Sequence, residues 1–281
     1  MPTPAQIEKA ARFAELHRQG TFVLPNAWDI PSALLCVEAG YPAVGTSSAA
    51  VAFQAGLMDG EHIGRDRMLG VAGAMARRVP LPVTVDLESG YGEGPEAVAE
   101  TVRLAILAGL IGCNIEDSDP AAHTLIEAER AAERIAAAVA AARAAGLPDF
   151  VVNARVDSFF VGMEPKDAFV DAVRRGNLYL AAGAACVFTP GPADAETARA
   201  LAEALDGPLN IMAGGPRATA PITDLAQAGV RRISLGGSLM AAAYGAALST
   251  LNQVRDTGAF EYTRASGPAF MTLARLLASN P

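Results

Sequence analysis

This 281-residue sequence holds only three cysteines, three histidines and one tryptophan, and aromatic residues make up just 6% of it. Cys36, Cys113 and Cys186 form no CxxC pair, and their wide spacing fits neither a zinc site nor a disulfide framework. Each lies in an apolar run, which predicts a buried, reduced thiol. His17, His62 and His123 match no metal-ligand spacing, and His17 and His62 are read as exposed. Lysine and arginine do not cluster, so the electrostatic footprint of a nucleic-acid binder is missing. No stretch is apolar and long enough to span a bilayer. The charged, amphipathic start MPTPAQIEKAARF lacks a signal-peptide core. These absences predict a cytoplasmic protein with no nucleic-acid or membrane partner. The net charge of −8 carries no information about substrate.

What is present is a rhythm. Hydrophobic residues make up 51% of the chain, enough for one large core. After a helical segment over 4–19, short β-rich runs recur at 22–24, 43–46, 83–86, 113–116, 150–154, 186–189, 210–213 and 232–235. Alanine-rich amphipathic segments separate most of them, at 30–39, 66–78, 95–108, 126–145, 165–182, 193–205 and 222–228. Several end in Ala-Gly, which suits a left-handed helix C-cap. This pattern predicts a (β/α)8 TIM-type barrel. The rival is an open doubly wound sheet, but no strand is followed by GxGxxG and there is no P-loop. One domain over 1–281 is expected, with 238–281 as a C-terminal helical extension carrying helices at 238–255 and 268–279.

In such a barrel, chemistry gathers at the C-terminal ends of the strands. Those ends read Asn26, Trp28 and Asp29; then Thr46, Ser47 and Ser48, with Asp59 further on; then Asp86 and Glu88; Glu116 and Asp117; Arg155 and Asp157; Thr189; Asn210 and Met212; and Ser234. Asp86 and Glu88 stand two residues apart at the end of a buried strand, so both can point the same way. Carboxylates on adjacent strand ends are costly unless a proton or cation sits among them. Asp59, Asp86, Glu88 and Glu116 could hold a hard cation such as Mg2+ through oxygens and waters. Arg155 could bind a substrate carboxylate by a two-pronged hydrogen bond, or neutralise Asp157 or Glu116. Asp117 and Asp157 are read as structural, each a helix N-cap or a surface residue. Trp28 is read as packing. Gly214-Gly215 and Gly236-Gly237, with Arg217 nearby, leave a phosphate cradle open.

At these residues the chain resembles the isocitrate lyase/phosphoenolpyruvate mutase superfamily. The motifs are LPNAWD, GTSSAAVAFQAGLMD, VTVDLESGYG, GCNIEDS and VVNARVDSF, and the match covers nearly the whole chain. The resemblance implies a barrel, often tetrameric, whose C-terminal helices are exchanged between paired subunits. It implies Mg2+ (or Mn2+) and a 2-oxo acid or its enolate. By match to the motifs, Asp86 is the direct metal ligand, and Asp59, Glu88 and Glu116 hold metal-bound waters. Thr46, Ser47 and Ser48 take the substrate carboxylate, Arg155 binds substrate oxygens, and Asn210 lies on the substrate wall. The chain departs from the family after the fourth strand. There the lyases carry a Cys-bearing loop, and this sequence has the short Ser118–Leu125 stretch SDPAAHTL, without Cys, Lys or Gly. With Asp59 and Arg155, His123 becomes the catalytic candidate. The expected function is a Mg-dependent lyase or decarboxylase acting on a small 2-oxo or 2-hydroxy acid through a metal-stabilised enolate, as a dimer or tetramer. The alternatives are phosphonomutase- or phosphonopyruvate-hydrolase-like C–P chemistry, and a non-catalytic 2-oxo acid binder.

Overall fold

The computed structural model describes residues 1–119, 122, 124–214 and 219–279. The chain opens with helix α1 (Pro4–Leu16), started by Pro4 and by the Thr3 hydroxyl, which accepts the Gln6 N–H at 3.2 Å. Then come β1 (Phe22–Leu24), β2 (Asn26–Ala27), α2 (Ile30–Glu38), β3 (Val44–Thr46), α3 (Ser48–Gln54) and α4 (Arg65–Arg78). The middle holds β4 (Val83–Asp86), α5 (Pro95–Leu107), β5 (Gly112–Glu116), β6 (Ser118–Asp119), β7 (Thr124–Leu125), α6 (Ala128–Ala144) and β8 (Val151–Arg155). It continues with α7 (Pro165–Ala181), β9 (Cys186–Thr189), α8 (Ala195–Ala204), β10 (Leu209–Met212), α9 (Ile222–Gln227) and β11 (Arg232–Ser234). Helices α10 (Ser238–Thr257) and α11 (Tyr262–Ala278) complete it.

The parallel sheet runs β1-β11-β10-β9-β8-β5-β4-β3-β2. β1 pairs with β11 while β2 pairs with β3, and only Pro25 separates them. Proline has no N–H for the ladder, so one strand position is split in two at this residue. Its carbonyl still accepts the Gly45 N–H at 3.0 Å, and the split strand brings the two sheet edges together. The result is the predicted TIM-type barrel, with eight strand positions close to those read from the sequence. Covered on both faces, the strands are rich in apolar residues such as Val83, Val85, Cys113, Ile115, Val151 and Val152, all buried.

Some expectations need correction. His17 is buried at 3% exposure, not exposed, because it stands four residues after Phe13 on the inward face of α1. Phe13 and Phe22 meet its ring edge-on, with centroids 4.8 and 5.1 Å away. Burial, and then the positive Arg232, pull the imidazole pKa down to about 3, so His17 is a neutral core residue. His62 is exposed and the three thiols are buried, as expected. Helix α3 and the antiparallel β6–β7 pair were not anticipated. Helix α11 starts at Tyr262 rather than Pro268, which lies inside it. The backbone bond that Pro268 cannot make would go to Arg264, an exposed residue whose carbonyl can bind water instead. The C-terminal end of α11 lies on its own chain. Arg275 pairs with Glu38 at 2.5 Å, and Arg78 donates to the carbonyls of Leu276 and Leu277 at 3.2 and 2.9 Å.

Candidate active site

The C-terminal strand ends bring most of the predicted residues into one cleft, and the local hydrogen bonds show how. Thr46, ending β3, accepts the Asp86 N–H on its hydroxyl at 2.8 Å, locking β3 to β4. Ser47 caps α3 by accepting the Ala50 N–H at 3.4 Å. The Ser48 N–H donates to Asp86 Oδ2 at 3.2 Å. Asp86 Oδ1 is buried and has no hydrogen-bond partner.

Glu88 sits in the left-handed region (φ 51°), a strained conformation for a residue with a side chain. Three donors hold it there. Gly60 and Glu61 N–H donate to Oε2 at 2.8 and 2.5 Å, and the Tyr91 hydroxyl donates to Oε1 at 3.1 Å. These bonds pull the loop after α3 across the barrel mouth and carry Asp59 to the cluster. Burial, then the negative charges of Asp59 and Asp86, raise the Glu88 carboxyl to about 7.

Arg155, ending β8, is clamped from two sides. Its Nη1 meets Glu116 Oε2 at 2.6 Å and its Nε meets Asp157 Oδ1 at 2.7 Å. Both readings of Arg155 as a neutraliser are therefore realised, and the residue still lines the cleft. Its guanidinium lies over the Phe160 and Phe188 rings, 5.6 and 5.9 Å from their centroids. Burial raises the Glu116 carboxyl well above the usual range against the opposing pull of Arg155. The Ser118 hydroxyl donates to Asp157 Oδ2 at 2.7 Å, and its oxygen lies 3.2 Å from Glu116 Oε1, between the two acids.

Asp117 and Asp157 neither cap a helix nor lie on the surface: both are 2% exposed. Asp117 accepts the Asp157 N–H at 2.8 Å, the Tyr179 hydroxyl at 2.7 Å and Arg175 Nη1 at 3.2 Å. Arg175 continues to Asp171, which accepts the Ser158 hydroxyl at 2.8 Å. This buried chain fixes the turn that carries Asp157, and so fixes Arg155.

Two adjoining cavities of about 210 Å³ each share Ser48, Asp59, Arg155 and Phe160. One reaches Glu88, Glu116 and Asp157; the other reaches Ser47, Asp86, Asn114, Ser234 and Gly237. Thr46 and Asn210 do not line either: the Thr46 hydroxyl is on Asp86, and Asn210 lies fully buried below, accepting from Ser234 at 3.2 Å. His123, Gly215 and Arg217 lie outside the described residues. Trp28 packs against the core. Sequence reading missed Asn114, Ser118 and Phe160. The period of two along β5 pointed to Asn114, since it shares a face with Glu116.

A divalent cation fits this cleft. Among the described residues, no three His, Cys, Asp or Glu side chains form a ready ligand set. The fit rests instead on one buried, unpartnered carboxylate oxygen, Asp86 Oδ1, ringed by acids whose oxygens are engaged by neighbouring donors. Hard oxygen donors of this kind suit Mg2+ with retained waters. Burial and the neighbouring acids raise the Glu88 carboxyl to about 7, so the affinity of a Mg2+ ion held here would fall as pH drops through about 7, by up to roughly tenfold per pH unit for competition with one proton. Calorimetric titrations between about pH 8 and about pH 6 check this, with the slope flattened in Glu88→Gln.

Comparisons with known proteins agree with this geometry. The family model described as phosphoenolpyruvate phosphomutase matches residues 13–255. The probable 2-methylisocitrate lyase 2 of Corynebacterium glutamicum is 33% identical over 270 residues, covering 91% of this chain and 83% of that protein. A solved structure from Burkholderia cenocepacia is 38% identical with a TM-score of 0.88, covering 94% of this chain and 93% of the other. Oxaloacetate acetylhydrolase, solved with its product oxalate, is 26% identical with a TM-score of 0.84, covering 97% of this chain and 96% of the other. A barrel with an acid-rich mouth, matched over most of its length, belongs to the phosphoenolpyruvate phosphomutase family, within the isocitrate lyase/phosphoenolpyruvate mutase superfamily of lyases and mutases.

Proposed function

We propose that this chain is a divalent-cation-dependent lyase or decarboxylase that breaks a carbon–carbon bond in a small 2-oxo or 2-hydroxy acid. The observation that carries the reading is the buried Asp86 Oδ1, without a partner, beside Arg155 in an acid-lined cleft. Asp86 would hold Mg2+ or Mn2+ directly, and Asp59, Glu88 and Glu116 would hold it through waters. Bound there, the cation would supply positive charge to the keto oxygen and carboxylate of the acid as an enolate develops. The chain's own groups bind and orient. Arg155 Nη2 has no partner among the described residues, so it is free to donate to a substrate oxygen. Ser47 and Ser48 line the same cavity and would take the substrate carboxylate. The names of the Corynebacterium relative and of the oxalate-bound hydrolase support a small di- or tricarboxylic acid. We keep His123, in the stretch joining β6 to β7, as the proton carrier; unchanged turnover in His123→Ala would remove it from that role.

Calorimetric titration with pyruvate, oxaloacetate and 2-oxoglutarate, with and without Mg2+, tests the reading. Binding that requires both Mg2+ and Asp86, lost in Asp86→Ala, supports it. No binding of any acid under any condition would show the acid cluster to be structural. Turnover confined to phosphonopyruvate would replace carbon–carbon with carbon–phosphorus chemistry.

We further propose a single domain over 1–281, located in the cytoplasm, that assembles as a homo-oligomer through α10 and α11. No helix among the described residues is long and apolar enough to cross a membrane. The two C-terminal helices instead expose Tyr244, Leu248, Leu251, Phe270 and Met271. Light scattering should give a dimer or tetramer, reduced to monomer in a Leu248→Glu, Leu251→Glu double variant; a monomeric parent would reject the assembly.

A further inference from the structure

Beneath the carboxylates, the barrel interior holds a second polar layer with no assigned role. Its centre is Arg232, the first residue of β11, which is 1% exposed and has no ion pair with any described acid. A buried guanidinium without a carboxylate is expensive, and burial pulls the Arg232 pKa down to about 10. Its bonds go to neutral groups. Nε donates to Ser234 Oγ at 3.1 Å and Nη2 donates to Asn114 Oδ1 at 3.3 Å. Asn153 Nδ2 donates to the same Asn114 oxygen at 2.7 Å.

That double donation sets the Asn114 amide. A guanidinium has donors only, so the amide oxygen must face Arg232 and the NH2 must face away. Asn114 is in register with Asp86 on the neighbouring strand and lines the same cavity. Its Nδ2 meets no protein acceptor among the described residues, and Asp86 Oδ1 meets no donor. A donor and a carboxylate oxygen, each without a partner among the described residues, thus belong to neighbouring residues that line one cavity. They fit a ligand that offers an oxygen to the amide and positive charge to the carboxylate, which describes an oxyacid paired with a cation.

We infer that Asn114 is a substrate-contacting residue that donates from Nδ2 to an oxygen of the bound 2-oxo acid, and that Arg232 is a positioning residue that holds the amide in that orientation. The inference rests on the cleft being a 2-oxo acid site. Asn114→Asp is the clean variant. It keeps an oxygen for Arg232 and Asn153 and replaces only the donor, by an oxygen that repels an anion.

The probe is whichever of pyruvate, oxaloacetate or 2-oxoglutarate the parent binds most tightly at saturating Mg2+. In Asn114→Asp its affinity should fall roughly 10- to 100-fold, the loss expected for one hydrogen bond to a charged group. Mg2+ titrated alone should bind no more weakly than to the parent. Unchanged acid affinity in this variant overturns the role of Asn114. Arg232 is tested by a double-variant cycle with Asn114→Leu and Arg232→Met, which together leave an apolar pair that can still pack. Arg232→Met should weaken the acid about tenfold in the parent and hardly at all in Asn114→Leu. Equal weakening in both backgrounds makes Arg232 merely structural and overturns its positioning role. A parent that binds Mg2+ but none of the acids overturns the 2-oxo acid reading itself, and this inference with it.

Discussion

Asp86→Asn should lower kcat/KM on the preferred 2-oxo acid by roughly a thousandfold or more, while leaving the cation-free fold at least as stable as the parent. The two halves have one cause. Asp86 is 8% exposed, its Oδ1 has no partner, and its charge helps to raise the carboxyls of Glu88 and Glu116. Asp86 adds negative charge to a buried group of acids, so removing that charge relieves repulsion among them. The Asn side chain keeps an oxygen that can accept the Ser48 N–H now held by Oδ2. What disappears is the negative oxygen on which a cation would rest. The parent should therefore gain thermal stability on adding Mg2+, and the variant should not. Melting curves with and without Mg2+, run beside kinetics, check both. A variant that melts lower without cation and keeps its Mg2+ response would place Asp86 in the scaffold.

Arg155→Ala should act in the opposite sense and destabilise strongly, by about 3–5 kcal/mol near neutral pH, as well as abolish turnover. Its guanidinium holds Glu116 at 2.6 Å and Asp157 at 2.7 Å, and both acids are largely buried. Without it, two largely buried carboxylates remain with neutral donors such as Ser118. The loss should depend on pH with a definite sign. Burial already raises the Glu116 carboxyl, so the folded state holds its proton to higher pH than the unfolded chain does. Such a group destabilises when ionised, above its folded pKa, and the penalty fades as pH falls and the proton returns. Arg155→Ala should therefore be least stable at alkaline pH and approach the parent under mild acid. Arg155→Lys should recover part of the stability but little of the activity. One ammonium cannot hold Glu116 and Asp157 and also reach substrate. Denaturant titrations of all three proteins across pH read this directly; a pH-independent difference between Arg155→Ala and parent would remove Glu116 from the account.

The barrel was legible because strands buried on both faces read as short apolar runs, and helices between them as alanine-rich segments stopped by glycine. The acids and their arginine were legible because a strand end names its own last residues: Asp86 and Glu88 after Val85, Glu116 after Ile115, Arg155 after Ala154. Local pattern could not show what those residues touch. His17 looks like a polar helix end and is a core residue, since α1 docks with Phe13 against Phe22 at the bottom of the barrel. Asp117 looks like a cap and is a buried anchor, since α7 sets Tyr179 and Arg175 beside it. Thr46 reads as a ligand group, and only the fold shows its hydroxyl accepting the Asp86 N–H.

Composition and periodicity alone determined the fold class, the strand positions and the presence of an acid-rich face. They act through backbone geometry and burial, which neighbouring residues settle among themselves. Only the tertiary structure decided that Asp86 keeps a bare oxygen, that Glu116 and Asp157 share one arginine, and that Asn114 is held between Arg232 and the cleft. The Arg232–Asn114 bond spans 118 residues and the Arg175–Asp117 bond spans 58. Contacts at such separations depend on which strands the closed barrel brings together. The same enclosure strips water from the groups it gathers, and that desolvation raises the carboxyls of Glu88 and Glu116.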